Sequence, residues 1–305
     1  MSTTENREFT TMKKMKVMFG FDMETDIGSW TSLYNGFKPG TENILSVLDK
    51  HGIKATFFFT GDAIKNNSDV AKKLIAEGHE VGAHSLFHET VGDALFEIPG
   101  VYPVLDSEVE NRLVINTQMI EEITGVRPVS FRCPRLWGST TVVNALEKLG
   151  YVADATYPMY FYRDRISPYH PSADDWTKDG DMKIVEIPNF ANLSLPSNDQ
   201  YGRDLDQWPR WRTESAAAVC KDIEGYVKYC EEKNAEPFLC FYMHPWEFAA
   251  MPEGLIYSGE GAVLPDPFII KNCGKYATEQ FDELIKLLKE MGAEFYMAKD
   301  VAKMY

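Results

Sequence analysis

The sequence predicts an α/β protein built on a mainly parallel sheet, open or closed into a barrel. Two observations carry that prediction. Short apolar runs alternate with capped helical segments along most of the chain, and ionisable residues close several of the apolar runs. In parallel α/β folds ligands bind beyond the C-terminal ends of the strands. The second observation therefore also marks where chemistry is expected.

The elements follow in order. "KVMFGFD" (16–22) is an apolar run ending in an acid and reads as a buried strand. "TENILSVLDKHG" reads as a helix with Thr41 as N-cap and Gly52 as C-cap. "KATFFF" (54–59) is a second strand, "SDVAKKLIAEG" (68–78) a helix stopped by glycine, and "HEVGAH" (79–84) a third strand. Residues 106–124 have helical periodicity. "PVSFRCP" is a strand broken by Pro134, "STTVVNALEKLG" a helix and "YVADAT" a short strand. "MKIVEIP", "PFLCFYMHP" and "EFYMAK" are later strands, with helices at 213–232 and in "TEQFDELIKLLKEMG". Repeated strand–helix units are the signature of a parallel sheet. The segment 155–212 differs, being rich in Tyr, Trp, Pro and Asp with weak periodicity. It is expected to be an aromatic-rich insertion within a single domain, 1–305, because structureless segments of that length in compact domains are usually functional.

Composition narrows the class. At 44% hydrophobic and 25% charged residues, the 305-residue chain has the balance of a globular protein with a sizeable core. A net charge of −15 argues against a nucleic-acid partner, which needs a clustered basic surface. No stretch is long and apolar enough to span a bilayer. The N-terminal "MSTTENREFTTMKKMKV" lacks the apolar centre of a secretory signal. The 5 cysteines (Cys133, Cys220, Cys230, Cys240, Cys273) are odd in number and lack Cys-x-x-Cys spacing. They read as reduced thiols of a cytoplasmic protein, with no cysteine-built zinc site. The sequence is compatible with a homo-oligomer.

The chemistry gathers in four places. "GAHSLFHET" spends two of only 6 histidines, His84 and His88, four positions apart. On a helical turn that spacing puts both imidazoles on one face, where they could share a cation. Two histidines and a carboxylate with an open fourth position form a familiar zinc set. The pair alone is a weak motif. "FDMETD" supplies Asp22, Glu24 and Asp26, spaced by two, which face one way on an extended chain. Three such carboxylates repel unless a cation or water lies among them, so the stretch is either a solvated acidic loop or part of a metal site. "FRCPRLWGS" supplies Arg132 and Arg135, and "FYMHPWEF" supplies His244 at the end of an apolar strand. His51, His79 and His170 border turns or lie in the long loop and read as structural.

Together these pieces resemble the polysaccharide deacetylase family, the NodB-type carbohydrate esterases. That family shows an acidic motif after the first strand, then His-Ser/Thr-x-x-His, Arg-x-Pro, and a late His after an apolar strand. Here these correspond to Asp22 to Asp26, "HSLFH" (84–88), "RCP" (132–134) and "MHP" (243–245), in the same order over about residues 16 to 300. The resemblance implies a distorted (β/α) barrel, usually of seven strands, and one divalent metal, commonly zinc. It implies hydrolysis of an amide: removal of an N-acetyl group from an amino sugar, or opening of a cyclic amide as in the allantoinase- and cyclic imidase-like branch. It assigns Asp22 as general base, His84 and His88 as metal ligands, Arg132 as the residue holding Asp22, and His244 as general acid. Pro134 and Trp246 are expected to border the substrate. The commonest acidic motif has two adjacent aspartates, whereas Met23 follows Asp22 here. A subgroup with Asp-x-Asp makes Glu24 the third ligand, with Asp26 the other candidate. A rival of another class is an inactive metal- and sugar-binding module using Tyr160, Trp176 and Trp208.

Overall fold

The computed structural model describes residues 15–28 and 30–305. Most of the polar N-terminal stretch that argues against a secretion signal lies outside the described residues. The strands are β1 (Lys16–Met23), β2 (Thr56–Phe59), β3 (Glu80–Ala83), β4 (Ser130–Phe131), β5 (Ala153–Asp154), β6 (Val185–Glu186), β7 (Phe238–Met243), β8 (Ile256–Ser258), β9 (Gly261–Val263) and β10 (Glu294–Tyr296). The helices are α1 (Phe37–His51), α2 (Gly61–Asn66), α3 (Ser68–Ala76), α4 (Asp106–Thr124), α5 (Thr140–Leu149), α6 (Met159–Tyr162), α7 (Arg210–Thr213), α8 (Ala216–Glu232), α9 (Lys275–Glu290) and α10 (Ala298–Val301).

Strands β1 to β6 run side by side in chain order, all parallel, and β7 returns to pair with β1 along Lys16–Phe21. The gap between β6 and β7 is closed by one parallel bridge, Asn189 to Cys240. The result is a distorted seven-stranded (β/α) barrel. The distortion has a second source at β1. Its last residues, Gly20–Met23, pair with β2, while its first, Lys16–Met18, pair with β10 on the same side. Strands β8 and β9 form a separate antiparallel hairpin.

Alternation on β1 sorts its side chains. Val17, Phe19, Phe21 and Met23 join the large core beneath the helices, with Phe57, Phe281 and Leu284. Met18 joins a smaller cluster drawn from strands all round the sheet: Phe58, Ala153, Ala155, Val185, Ile187, Phe238 and Cys240. That cluster is the barrel interior, and α10 plugs its lower end with Ala298 and Val301. Period-two geometry then directs Gly20 and Asp22 inward with Met18.

Most expected elements are present, with three corrections. Helix α1 begins at Phe37, so Thr41 lies in its second turn and its hydroxyl donates to the Phe37 carbonyl at 2.7 Å. Pro39 falls in the first turn, where no amide hydrogen is required. Gly40 lies so close to the chain after β7 that a Cβ there would sit 1.8 Å from the Pro245 carbonyl oxygen. Strands β4, β5 and β6 are only two residues each. Prolines at 128, 134 and 188 flank β4 and β6 and cannot donate to a ladder. The 155–212 segment is not wholly an insertion, because it contains β6 and the bridge that closes the barrel.

Candidate active site

Four strand ends converge at the upper mouth of the barrel. Asp22 is the penultimate residue of β1 and Glu24 lies just beyond the strand; both are buried. Arg132, the residue after β4, is fully buried and lies across the barrel against β1. Gly20 makes that possible: a Cβ there would sit 2.5 Å from the guanidinium nitrogens. Arg132 donates to Asp22 Oδ1 at 2.8 Å and to the Ala155 carbonyl at 2.9 Å, and its guanidinium lies 4.6 Å from the centre of the Phe58 ring.

The histidine pair is not helical. Ser85 and His88 both have left-handed backbones, with φ of 65° and 57°. The loop is braced by Glu89, whose carboxylate accepts from the Phe87 amide at 2.6 Å and the Ser85 hydroxyl at 3.2 Å. The expected outcome of a helical turn is thus reached by a tight loop, which sets the two rings 5.1 Å apart. His84 Nδ1 lies 2.7 Å from the Arg132 carbonyl. A carbonyl only accepts, so Nδ1 carries the proton and Nε2 is left as a lone-pair donor.

Glu24 Oε2 stands 2.5 Å from His88 Nε2 and 3.7 Å from His84 Nε2. One ligand atom from each of Glu24, His84 and His88 can be chosen so that all lie within 4.8 Å of one another, and all three residues are buried. Burial works against charge on Glu24, but His88, His84 and His244 outweigh it and hold its carboxyl well below the usual range. Burial lowers His88, despite Glu24 beside it, and so favours the neutral, ligating ring. Two imidazole nitrogens and one carboxylate oxygen, orientated by an outer hydrogen bond, fit a divalent cation such as zinc. Asp26 does not join them. Its carboxylate accepts from the Gly36 amide at 3.0 and 3.2 Å, and burial pushes it up to about 6.

His244 closes the site from the end of β7. Its Nε2 lies 3.7 Å from Glu24 Oε1 and 4.0 Å from Asp22 Oδ2. Its Nδ1 lies 2.9 Å from Glu247 Oε1, and that oxygen also accepts from the His244 amide and the Trp208 indole, each at 2.9 Å. The other Glu247 oxygen accepts from Arg212 Nε at 2.5 Å. Burial opposes charge on Glu247, but Arg212 and His244 bring its carboxyl down to about 2. Burial likewise opposes charge on His244, yet the Glu247 hydrogen bond and the charges of Glu24 and Asp22 raise its pKa. The Trp246 ring stacks on His244 at 5.4 Å.

A cavity of about 230 Å³ opens over these groups. Trp246, Tyr160 and Trp208 line it, together with Trp30, Phe96, Trp137 and Tyr242. Pro134 does not; it is buried in the short turn Pro134–Leu136, and the next residues, Arg135, Leu136 and Trp137, face the cavity instead. Trp176 is also absent from the lining, being buried against Tyr157 and Tyr162. The residues that sequence reasoning missed are Glu247, Arg212 and Arg203. Glu247 had a signal, three residues after His244 in "HPWEF"; Arg212 and Arg203 had none, lying in the aperiodic segment.

The family model described as polysaccharide deacetylase matches residues 10–153. The peptidoglycan deacetylase of Helicobacter pylori is 26% identical over 212 residues, 60% of this chain and 68% of its own length. The peptidoglycan-N-acetylmuramic acid deacetylase PdaA of Bacillus subtilis is 30% identical over 119 residues, 38% of this chain and 41% of its own length. Among these and other curated relatives the matched part ranges from 18% to 68% of the relative's length. A polysaccharide deacetylase-like structure from Mycobacterium smegmatis superposes with a TM-score of 0.64 at 18% identity, covering 97% of this chain and 91% of that one. With the four motifs seated in order at the strand ends of such a barrel, the chain resembles the polysaccharide deacetylase family over nearly half its length.

Proposed function

We propose that the protein is a metal-dependent hydrolase of non-peptide C–N amide bonds that deacetylates an N-acylated amino sugar or a related small amide. The observation that carries this reading is the placement of Asp22 and His244 on the same Glu24–His84–His88 cluster, with His244 Nε2 within 4.0 Å of both carboxylates. A divalent cation held by Glu24, His84 and His88 supplies Lewis-acid activation of water and of the acyl carbonyl.

The chain's own groups supply the proton transfers. Arg132 fixes Asp22 Oδ1, so Oδ2 on the cavity side takes the proton from the attacking water. An amine is a poor leaving group until protonated. His244 Nε2 delivers that proton, and Glu247 at Nδ1 favours the imidazolium that precedes delivery. The aromatic walls of the cavity exclude water from the amide and suit the faces of a sugar ring.

A cavity of about 230 Å³ accommodates a short or soluble substrate. The same small volume also suits a cyclic amide, which the same steps would open. The test is a panel of N-acetylated sugars and cyclic amides with zinc-loaded protein, wild type against Asp22→Asn and His244→Ala. Each substitution should lower the rate by about 10²–10⁴-fold, the usual worth of one positioned proton-transfer group. Wild-type rates in both variants would overturn the assignment. A wild type that binds sugar and metal without turning over any amide would make the protein a binding module.

A further inference from the structure

Two arginines outside the proton-transfer machinery line the cavity: Arg135 and Arg203. The Arg203 guanidinium lies 5.5 Å from the centre of the Phe96 ring and 5.3 Å from that of Tyr160, both cavity walls. Arg135 is held by hydrogen bonds from one nitrogen to the His88 carbonyl at 3.1 Å and to the Thr90 hydroxyl at 3.3 Å. Among the described residues neither guanidinium has a carboxylate within 4.0 Å. The contrast with the other arginines here is clear: Arg132 is paired with Asp22 and Arg212 with Glu247.

The charge around the cavity is therefore unlike that of the chain. The protein carries −15 overall. Within the site Asp22 and Glu247 are matched by Arg132 and Arg212. What remains is Glu24 and the buried Asp206, whose carboxylate accepts from Tyr242 at 2.5 Å, against Arg135, Arg203 and the charge of a bound cation. A guanidinium packed on aromatic faces is weakly hydrated and keeps its fork available, the form suited to a carboxylate or phosphate. A neutral ligand would give neither arginine an anionic partner at contact distance.

We infer that the substrate is an anionic amide, an N-acylated amino sugar or small amide carrying a carboxylate or phosphate, and that Arg203, assisted by Arg135, selects it. This rests on the amide-hydrolase reading above and specifies its substrate class.

The experiment compares three probes with zinc-loaded protein: N-acetylglucosamine, N-acetylmuramic acid and N-acetylglucosamine 6-phosphate. The readouts are kcat/KM and equilibrium binding by calorimetry. At least one anionic probe should exceed the neutral one by about tenfold or more, the value of a charge-assisted hydrogen bond. In Arg203→Gln that ratio should fall toward one through KM, and Arg203→Lys should recover part of it. Arg203 is exposed, so its replacement should leave the fold intact. Preferential binding of an anionic probe without hydrolysis would sustain this inference while removing the hydrolase reading. Equal treatment of the three probes by the wild type, or an unchanged ratio in Arg203→Gln, would overturn it. Discrimination between the carboxylate and phosphate probes identifies which anion the site takes.

Discussion

Replacing Glu247 by glutamine keeps the shape of the residue behind His244 and removes its charge. Glu247 is fully buried and receives four donors: His244 Nδ1, the His244 amide, Trp208 Nε1 and Arg212 Nε. Two unit charges about 4 Å apart interact by about 4 kcal/mol at an effective dielectric near 20. The glutamine oxygen can still accept from His244 Nδ1 and retains part of this, leaving a loss of roughly 1.5–3 kcal/mol. At about 1.36 kcal/mol per unit, the His244 pKa should fall by about one to two units. In the proposed role His244 acts protonated, so the rate is expected to decline as pH rises through its pKa. The falling limb of the pH–rate curve should therefore move to lower pH by that amount. Stability should change with a defined sign as well. A carboxyl lowered from 4.5 to about 2 stabilises the fold above its unfolded pKa, and that contribution is lost as pH drops through about 2. Its worth is on the order of 3 kcal/mol, so Glu247→Gln should melt roughly 5–10 °C lower at neutral pH. The assays are a pH–rate series and a thermal melt on the same preparation. A folded variant whose falling limb coincides with wild type would refute the claim that Glu247 sets the proton affinity of His244.

Three further outcomes are expected. Elemental analysis should find bound metal lost in His84→Ala and Glu24→Gln but retained in Asp26→Asn, because the Asp26 carboxylate is turned to the Gly36 amide; loss in Asp26→Asn alone would move the third ligand. Gly20→Ala should force the Arg132 guanidinium aside, costing about 1–3 kcal/mol in denaturant unfolding and most of the activity, since a Cβ has only 2.5 Å to the Arg132 nitrogens; wild-type activity there would mean that Arg132 does not position Asp22. Asp154 and Glu186 face each other on β5 and β6, fully buried, and burial raises both carboxyls. Acids raised on folding contribute most below their unfolded pKa and lose that contribution as pH rises toward neutrality, so Asp154→Asn should flatten the decline in stability between about pH 4 and 7, and an unchanged slope would disprove it.

The order of elements was legible because local patterns report local structure. Apolar runs, helix periodicity and the glycines at 52, 125 and 150 mark strands, helices and stops without reference to anything distant. The residues of the cluster were legible for a related reason: Asp22, His84, Arg132 and His244 sit where strands end, and strand ends in a parallel fold share one side of the sheet. The short strands β4 to β6 were only partly legible, since a strand's length depends on the neighbours that pair with it. Likewise the distinction between Glu24 and Asp26 is not a local property. Both are acids two residues apart, and only the distant amide of Gly36 takes one of them away.

By itself, then, the sequence determined a parallel α/β architecture, the residue types of the candidate cation site and those of the proposed acid and base beside it. Tertiary structure alone decided how they meet. It bent the histidine loop through two left-handed residues instead of a helix, laid Arg132 across Gly20, set the Arg212–Glu247 pair behind His244, and turned Arg203 into the cavity while burying Trp176. The physical reason is the range of the forces involved. Propensity and alternation act over a few residues, whereas desolvated charge pairs form only where folding brings a partner from far along the chain, 110 residues in the case of Asp22 and Arg132.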